Sequence, residues 1–150
     1  MTITIFDKFN KAFDVENLRE DLKNVGSEES FREVPVGSLY DVVISKLQLV
    51  ESKAGKPMLT CWMKITTGEY ENSVLFMNQV INTGYGLHKA NEFLRSLESE
   101  VEVKFENFKQ YNDMILNIHE EIDGVYEYCV EYDEKKGFKT FEIINVYEVE

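Results

Sequence analysis

The most regular alternation of hydrophobic and polar positions in the chain runs from Pro57 to Thr66. One row of alternate residues is apolar, and the other is mixed: Leu59, Cys61, Met63 and Ile65 against Met58, Thr60, Trp62 and Lys64. Successive side chains of a strand point to opposite faces, so this pattern predicts a strand with its first row in a core and its second on an open face. Gly55 favours a turn just before it, and Pro57 fits a first strand position because proline cannot donate a ladder hydrogen bond.

Two more strand patterns flank this one. Between Leu39 and Val50 the apolar row changes parity, from Tyr40, Val42 and Ile44 to Leu47 and Leu49. A switch near Ser45-Lys46 predicts a bulge or sharp coil that lets one long strand serve two parts of a curved sheet. From Ser73 to Ile81 both rows are apolar, so the buried row is either Val74, Phe76 and Val80 or Leu75, Met77 and Ile81.

The alternating pattern returns near the end of the chain. Tyr126, Tyr128, Val130 and Tyr132 alternate with Glu127, Cys129 and Glu131. The turn Asp133 to Gly137 then leads into a last strand from Phe138 to Val149, which predicts a hairpin with glycine in its loop. We expect the tyrosines to face the core with their hydroxyls at its edge.

Helical spacing occupies the remaining segments. Ile5 to Val25 predicts an amino-terminal helical arm with a stripe of Phe6, Phe9 and Phe13, followed by a polar linker over residues 26–30. The stripe packs either on the chain's own body or on another subunit. Between the third and fourth strands, helical patterns run from Leu87 to Leu97 and from Phe105 to Ile122. A break near Asn112-Asp113 is an open possibility, and Gly124 ends the second helix.

The predicted order of elements is a helical arm, three strands, helices and two strands. It predicts a mainly β protein with helical additions, built as a five-stranded OB-fold barrel with helices between strands 3 and 4. The expected division is an arm and linker over residues 1–30 and an OB-fold domain over residues 31–150. In that fold the face of strands 2 and 3, with the loops joining strands 1–2 and 4–5, holds oligonucleotides or oligosaccharides.

Composition limits the function. The chain has 150 residues and a formal net charge of -12, which argues against binding through a broad basic surface. Cys61 and Cys129 lie in separate strand patterns, and the absence of a signal-peptide pattern predicts reduced thiols in a cytosolic protein. No apolar run approaches membrane-spanning length.

The predicted open face carries the candidate chemistry. Trp62 and Lys64 place a ring beside a cation, which suits a nucleic-acid strand because bases stack and phosphates seek positive charge. The predicted rim loops add lysines, and four further rings are candidates for stacking: Lys53, Lys56, Lys135, Lys136 and Lys139, with Tyr70, Phe76, Tyr85 and Phe138. The alternative for Trp62 is packing beneath a loop, and each lysine taken singly is an ordinary turn residue. The acidic run from Glu120 to Glu131 is expected to lie away from this groove.

Three segments carry a resemblance. Phe31 to Val42 and Glu51 to Leu59 resemble the opening of a bacteriophage family of small single-stranded-DNA-binding proteins, and Phe138 to Ile143 is similar to its closing strand. The likeness extends from Phe31 to Val149, and its most specific piece is the Glu51-to-Pro57 turn. It implies an OB-fold, sequence-independent binding of single-stranded DNA, and a role in phage replication or recombination in the host cytoplasm. Well-known bacterial single-strand binders end in an acidic tail with a terminal phenylalanine, whereas this chain ends Tyr147-Glu148-Val149-Glu150 directly after a strand.

Other functions have less support in the sequence. There is no phosphate loop, dinucleotide fingerprint or nucleophile elbow, and His88 and His119 lack metal-ligand spacing, so we expect neither catalysis, metal nor cofactor. The expected partners are single-stranded DNA, phage recombination or replication proteins and a second copy in a homodimer. Two alternatives stay open: an acidic DNA mimic that inhibits a DNA-binding partner, and an OB-type protein-interaction module anchored by Trp62.

Overall fold

A computed structural model describes residues 33–149, which form five strands and two helices. The strands are β1 (Ser38–Glu51), β2 (Pro57–Ile65), β3 (Val74–Val80), β4 (Tyr126–Lys135) and β5 (Phe138–Glu148). The helices are α1 (Gly84–Ser96) and α2 (Phe108–Ile122), and both lie between β3 and β4 in the chain. The predicted arm and linker, with Phe6, Phe9 and Phe13, lie outside the described residues.

All five strands belong to one antiparallel sheet in the order β3-β2-β1-β4-β5. The mainly β architecture with helices after the third strand is therefore confirmed. The end strands β3 and β5 are not hydrogen-bonded to each other, so the described sheet is open rather than closed into a barrel.

The central strand β1 serves both halves of the sheet. Its first part, from Ser38 to Val42, pairs with β4, and its second part, from Val42 to Glu51, pairs with β2. The register shifts between Ile44 and Lys46, which confirms the bulge predicted from the parity change. Because a bulge bends a strand and increases its twist, it lets this one strand leave one half-sheet and enter the other.

The core lies on the face of the sheet that the helices cover. The predicted apolar row of β2 is fully buried, and so are the two central tyrosines of the helix–sheet contact: Leu59, Cys61, Met63 and Ile65, with Tyr111 and Tyr128. On β3 the structure decides the open question in favour of Leu75, Met77 and Ile81, which are all buried, whereas in the other row Val74 is buried but Phe76 is 41% exposed. Cys61 and Cys129 are both buried and unbridged, as predicted.

Both helices begin at capped residues. Thr83 Oγ1 accepts a hydrogen bond from the Gly86 amide at 3.1 Å, and Asn107 Oδ1 accepts one from the Gln110 amide at 2.8 Å. Helix α2 therefore starts after Phe105, not at it, and continues without a break through Asn112. The predicted start at Phe105 and the suggested break are wrong, since the Asn107 side chain caps a first-turn amide and the apolar face is continuous beyond it.

Polar contacts fix the helices on the sheet. The Tyr128 hydroxyl donates to the Leu97 carbonyl at 2.7 Å, just after α1, and the Tyr111 hydroxyl of α2 donates to Asn91 Oδ1 of α1 at 2.6 Å. His119 of α2 lies with Nε2 3.3 Å from the Ile44 carbonyl, next to the bulge. Each buried hydroxyl thus has a partner, which avoids the desolvation cost of an unpaired polar group.

The turns differ in length from the predicted ones. The β4–β5 turn is a two-residue connection, because Lys135 pairs with Phe138 and only Lys136 and Gly137 lie between them. Both of these residues have positive φ, 53° and 82°, which a tight antiparallel hairpin with right-handed twist requires. In the β1–β2 turn, Gly55 has φ 78° and its amide donates to the Ser52 carbonyl at 2.9 Å.

We expect stability to fall at alkaline pH. Burial raises the pKa of Tyr111 from 10.0 to about 12, and it raises the pKa values of Tyr128 and Cys61 as well. These groups stay protonated in the folded state while the same groups ionise in the unfolded chain. Their contribution to the free energy of unfolding is therefore complete below pH 9 and is lost as pH rises. For Tyr111 the loss is at most about 2–3 kcal/mol at pH 12. Urea unfolding between pH 8 and pH 11.5 measures it, and Tyr111→Phe is expected to flatten the slope above pH 10. A flat wild-type profile would contradict the expectation.

Candidate nucleic-acid interface

The open face of β1, β2 and β3 is built from four rows of side chains that cross the strands. The pairing places these residues side by side: Val43, Lys64 and Val74; Lys46, Trp62 and Phe76; Gln48, Thr60 and Asn78; Val50, Met58 and Val80. Neighbouring rows are about 7 Å apart, since same-face residues of a strand are two positions apart. These rows contain two lysines and no carboxylate.

The second row forms an aromatic pair with a cation above it. The rings of Trp62 and Phe76 meet edge to face, with centroids 5.0 Å apart and planes at 84°. Lys46 Nζ lies 4.2 Å from the centroid of the Trp62 ring, which is the geometry of a cation–π contact. Trp62 is half-buried, whereas Phe76 is the more exposed ring. Trp62 therefore contacts both the exposed ring and the ammonium group.

Lys46 belongs to this site although it is not among the residues predicted from the sequence. In an unbroken strand the parity of Ile44 would send Lys46 toward the core. The bulge at Ser45 reverses that parity and places Lys46 opposite Trp62 on the open face. The Ser45 hydroxyl also donates to the Trp62 carbonyl at 3.3 Å, which ties the bulge to β2. The signal was present in the sequence, because the predicted parity switch also moves the lysine that follows it.

The predicted lysines divide between two places. Lys64 lies on the open face, one row from Trp62, and Lys53 and Lys56 are exposed in the turn at the end of the same β1–β2 hairpin. Lys135, Lys136 and Lys139 belong to the β4–β5 hairpin tip, which lies beyond the start of β1. The two turns thus lie at opposite ends of the 14-residue strand β1. We predicted that both turns would flank the face bearing Trp62, but the strand pairing places only the β1–β2 turn next to it.

Lys139 has a partner of its own. Its ammonium group lies 3.0 Å from Glu134 Oε2, and this hydrogen bond raises the pKa of Lys139. It also lies 6.0 Å from the centroid of the Tyr132 ring. Because a neighbouring carboxylate already balances its charge, Lys139 is a weaker phosphate ligand than Lys46 or Lys64, neither of which forms an ion pair within residues 33–149.

The other candidate rings do not join the Trp62 row. Tyr70 packs against the core beside Tyr40, with centroids 6.3 Å apart. Tyr85 is 71% exposed in the first turn of α1, with Lys89 Nζ 5.6 Å from its centroid. Phe138 is 75% exposed at the β4–β5 turn. Among the predicted rings, the structure unites only Trp62 and Phe76.

The second half of the same sheet face is acidic. Glu127 and Glu131 of β4 lie on the face opposite Tyr128 and Tyr132, as predicted. However, Thr66 lies two positions after Lys64 and on the same face, and its hydroxyl donates to Glu127 Oε1. The carboxylates thus adjoin the lysine-bearing half instead of lying on a separate surface. The face carries both signs of charge, with the boundary along β1.

The described residues offer little for other chemistry. Within residues 33–149, no three His, Cys, Asp or Glu side chains are grouped as metal ligands. His88 lies 2.9 Å from Glu92 one helical turn away on an exposed face of α1. No helix in this part of the chain is both long and apolar enough to cross a membrane.

The described residues thus form a mainly β protein with a five-stranded antiparallel sheet. Half of the open face of this sheet combines aromatic rings with lysines. Comparison of the chain with known protein families and with curated proteins found no match.

Proposed function

We propose that this protein binds single-stranded DNA on the open face of β1, β2 and β3. The observation that carries the proposal is the row of Lys46, Trp62 and Phe76, with Lys64 in the next row. Stacking on rings is tolerant of sequence because every base has a π face, and each stacked base contributes about 1–3 kcal/mol. The proposed binding is therefore largely sequence-independent.

The arrangement of strands supports an OB-type architecture for this proposal. In an OB-fold the ligand face is that of strands 2 and 3, and the barrel is partly open. Here the order β3-β2-β1-β4-β5 puts the longest, bulged strand at the centre, and the rings lie on β2 and β3. The resemblance of residues 31–42, 51–59 and 138–143 to the phage family agrees with it. We include the implied role in phage DNA replication or recombination in the proposal.

Local charge explains how a chain of net charge -12 could hold a polyanion. Lys46 is kept over Trp62, so its ammonium group is positioned before a phosphate arrives and loses little side-chain freedom on binding. Phe76 supplies the exposed ring for a base. Lys64 supplies a second cation, two positions and about 7 Å from Trp62 along β2. The carboxylates across β1 repel the phosphate backbone and confine it to this half of the face.

A mobility-shift experiment tests the proposal. The same oligonucleotide is offered in single- and double-stranded form, each at low and at moderate salt. We expect a shift of the single strand that weakens with salt, and little or no shift of the duplex, whose stacked bases cannot reach Phe76. Equal shifts of both forms, or none, would overturn the proposal.

Replacing Lys46 with alanine is expected to reduce the salt dependence of binding. Each phosphate contact on a single strand contributes about 0.7 to the slope of log affinity against log salt. If Lys46 makes one such contact, the slope should fall by about 0.7, as measured by fluorescence anisotropy across a salt series. Lys104→Ala is the matched control, because this lysine lies outside the sheet and is paired with Glu106 at 3.4 Å. Equal slopes for both variants would remove Lys46 from the interface.

The acidic half-face favours one other function. Asp41 lines a cleft of about 580 Å³ between the start of β1 and the β2–β3 turn, close to the half that bears Glu127 and Glu131. Such a surface suits a basic protein partner, as an acidic DNA mimic would require. In the same gel a mimic would leave oligonucleotides unshifted, and it would instead displace DNA from a basic DNA-binding protein.

A further inference from the structure

The row next to the aromatic pair carries amide and hydroxyl groups. Gln48, Thr60 and Asn78 lie side by side across β1, β2 and β3. Thr60 is 7% exposed, and its Oγ1 lies 2.6 Å from Asn78 Oδ1. Asn78 itself is exposed. A buried hydroxyl thus holds the amide of an exposed asparagine in one orientation, about 7 Å along β3 from Phe76.

The orientation decides what Asn78 offers to a ligand. A threonine hydroxyl has one hydrogen to donate, and here it is directed at Oδ1 of Asn78. Because this bond holds one lone pair of the oxygen toward Thr60, the asparagine presents its NH₂ group, which carries two donors and no acceptor, to the open face. The site thus has a fixed hydrogen-bond donor beside a stacking ring.

We propose that Asn78 contacts the edge of the base that stacks on Phe76 and gives the site a preference for thymine over adenine. This inference rests on the proposed single-stranded-DNA function. Thymine presents two carbonyl oxygens that accept from an NH₂ group, whereas the adenine acceptors N1 and N7 each lie beside its own amino group, which places a donor against a donor. Thr60 is a positioning residue, since it acts only through the amide that it holds.

Anisotropy titrations with labelled dT and dA oligonucleotides of equal length measure the preference. The quantity of interest is the ratio of the two affinities, because the greater self-stacking of dA belongs to the oligonucleotide and is unchanged by any substitution. Asn78→Ala is expected to weaken dT binding about fivefold, the effect of one hydrogen bond, while dA binding changes less than twofold. Asn145→Ala is the control, as an exposed asparagine on β5 that should leave the ratio unchanged.

Two more variants test the orientation. Thr60→Val removes the donor that holds the amide, so the ratio should approach that of Asn78→Ala, and Thr60→Ser should restore it. Asn78→Asp replaces the donor with acceptors, so it should weaken both complexes by repelling phosphate but weaken dT more. Thermal melts check that each variant is folded.

The outcomes separate the two proposals. If the wild-type protein binds neither oligonucleotide, the single-stranded-DNA function fails and this inference fails with it. If it binds both and Asn78→Ala weakens them equally, the amide contacts phosphate and only the inference is overturned. A larger loss for dA would also overturn it, because the amide would then present its oxygen to the base.

Discussion

Replacing Trp62 with alanine should lower the affinity for a single-stranded oligonucleotide about ten- to hundredfold. The indole meets Phe76 edge to face at 5.0 Å and lies 4.2 Å from the ammonium group of Lys46. Its loss removes a ring, deprives Phe76 of its edge-to-face contact with the indole, and releases the cation. Stacking alone contributes about 1–3 kcal/mol per base, which corresponds to about five- to 150-fold in affinity and includes this range. Anisotropy with oligo-dT at fixed salt measures the effect.

Phe138→Ala is the matched control for this prediction. Phe138 is 75% exposed at the far hairpin tip, so it was a candidate ring in the sequence but does not belong to the Trp62 row. We expect its removal to change affinity less than twofold.

Phe76→Ala should lower the affinity as much as Trp62→Ala does, with a smaller cost in stability, because Phe76 is the more exposed ring. Unchanged binding by a folded Trp62→Ala protein would place the site elsewhere.

The largest expected effect on stability comes from Gly86→Ala. Helix α1 passes so close to the end of β3 that a Cβ on Gly86 would lie 2.2 Å from the Val80 carbonyl oxygen. That oxygen belongs to the backbone, so the helix must move away from the sheet. Overpacking of this kind costs about 1–3 kcal/mol, and we expect a value at the upper end. Denaturant unfolding with the extrapolated free energy of unfolding is the measurement.

Gly84→Ala separates this clash from a general effect of alanine. Gly84 is the first residue of the same helix, and nothing lies within 4 Å of where its Cβ would be. Its substitution should be neutral or slightly stabilising, because alanine loses less backbone freedom than glycine on folding. If the two variants unfold at the same denaturant concentration, helix α1 does not lie as close to the end of β3 as described.

The sequence predicted the strands whose two rows differ in polarity. On β2 the apolar row from Leu59 to Ile65 is in the core, and Trp62 and Lys64 share the open face. Alternation sufficed there because one register buries apolar side chains and the other does not. On β3 both rows are apolar, so periodicity carried no preference. Only the helices that cover the other face determine that Phe76 points outward.

Relations between distant strands could not be obtained from periodicity. The two lysine-bearing turns were expected to flank one face, but β1 is long enough to hold its two partner hairpins at different ends. Which strand lies beside which depends on contacts far apart in sequence, and these leave no local pattern. For the same reason the sequence offered Phe76 as one of four further candidate rings without selecting it, although the strands of Trp62 and Phe76 were both predicted.

Trp62 is the only tryptophan in the 150-residue chain. Ultraviolet emission excited at the long-wavelength edge of aromatic absorption therefore originates from this one indole, packed against a phenyl ring and an ammonium group. The protein carries an intrinsic optical reporter at the place where the ligand is proposed to sit, and no dye has to be attached to follow its occupancy.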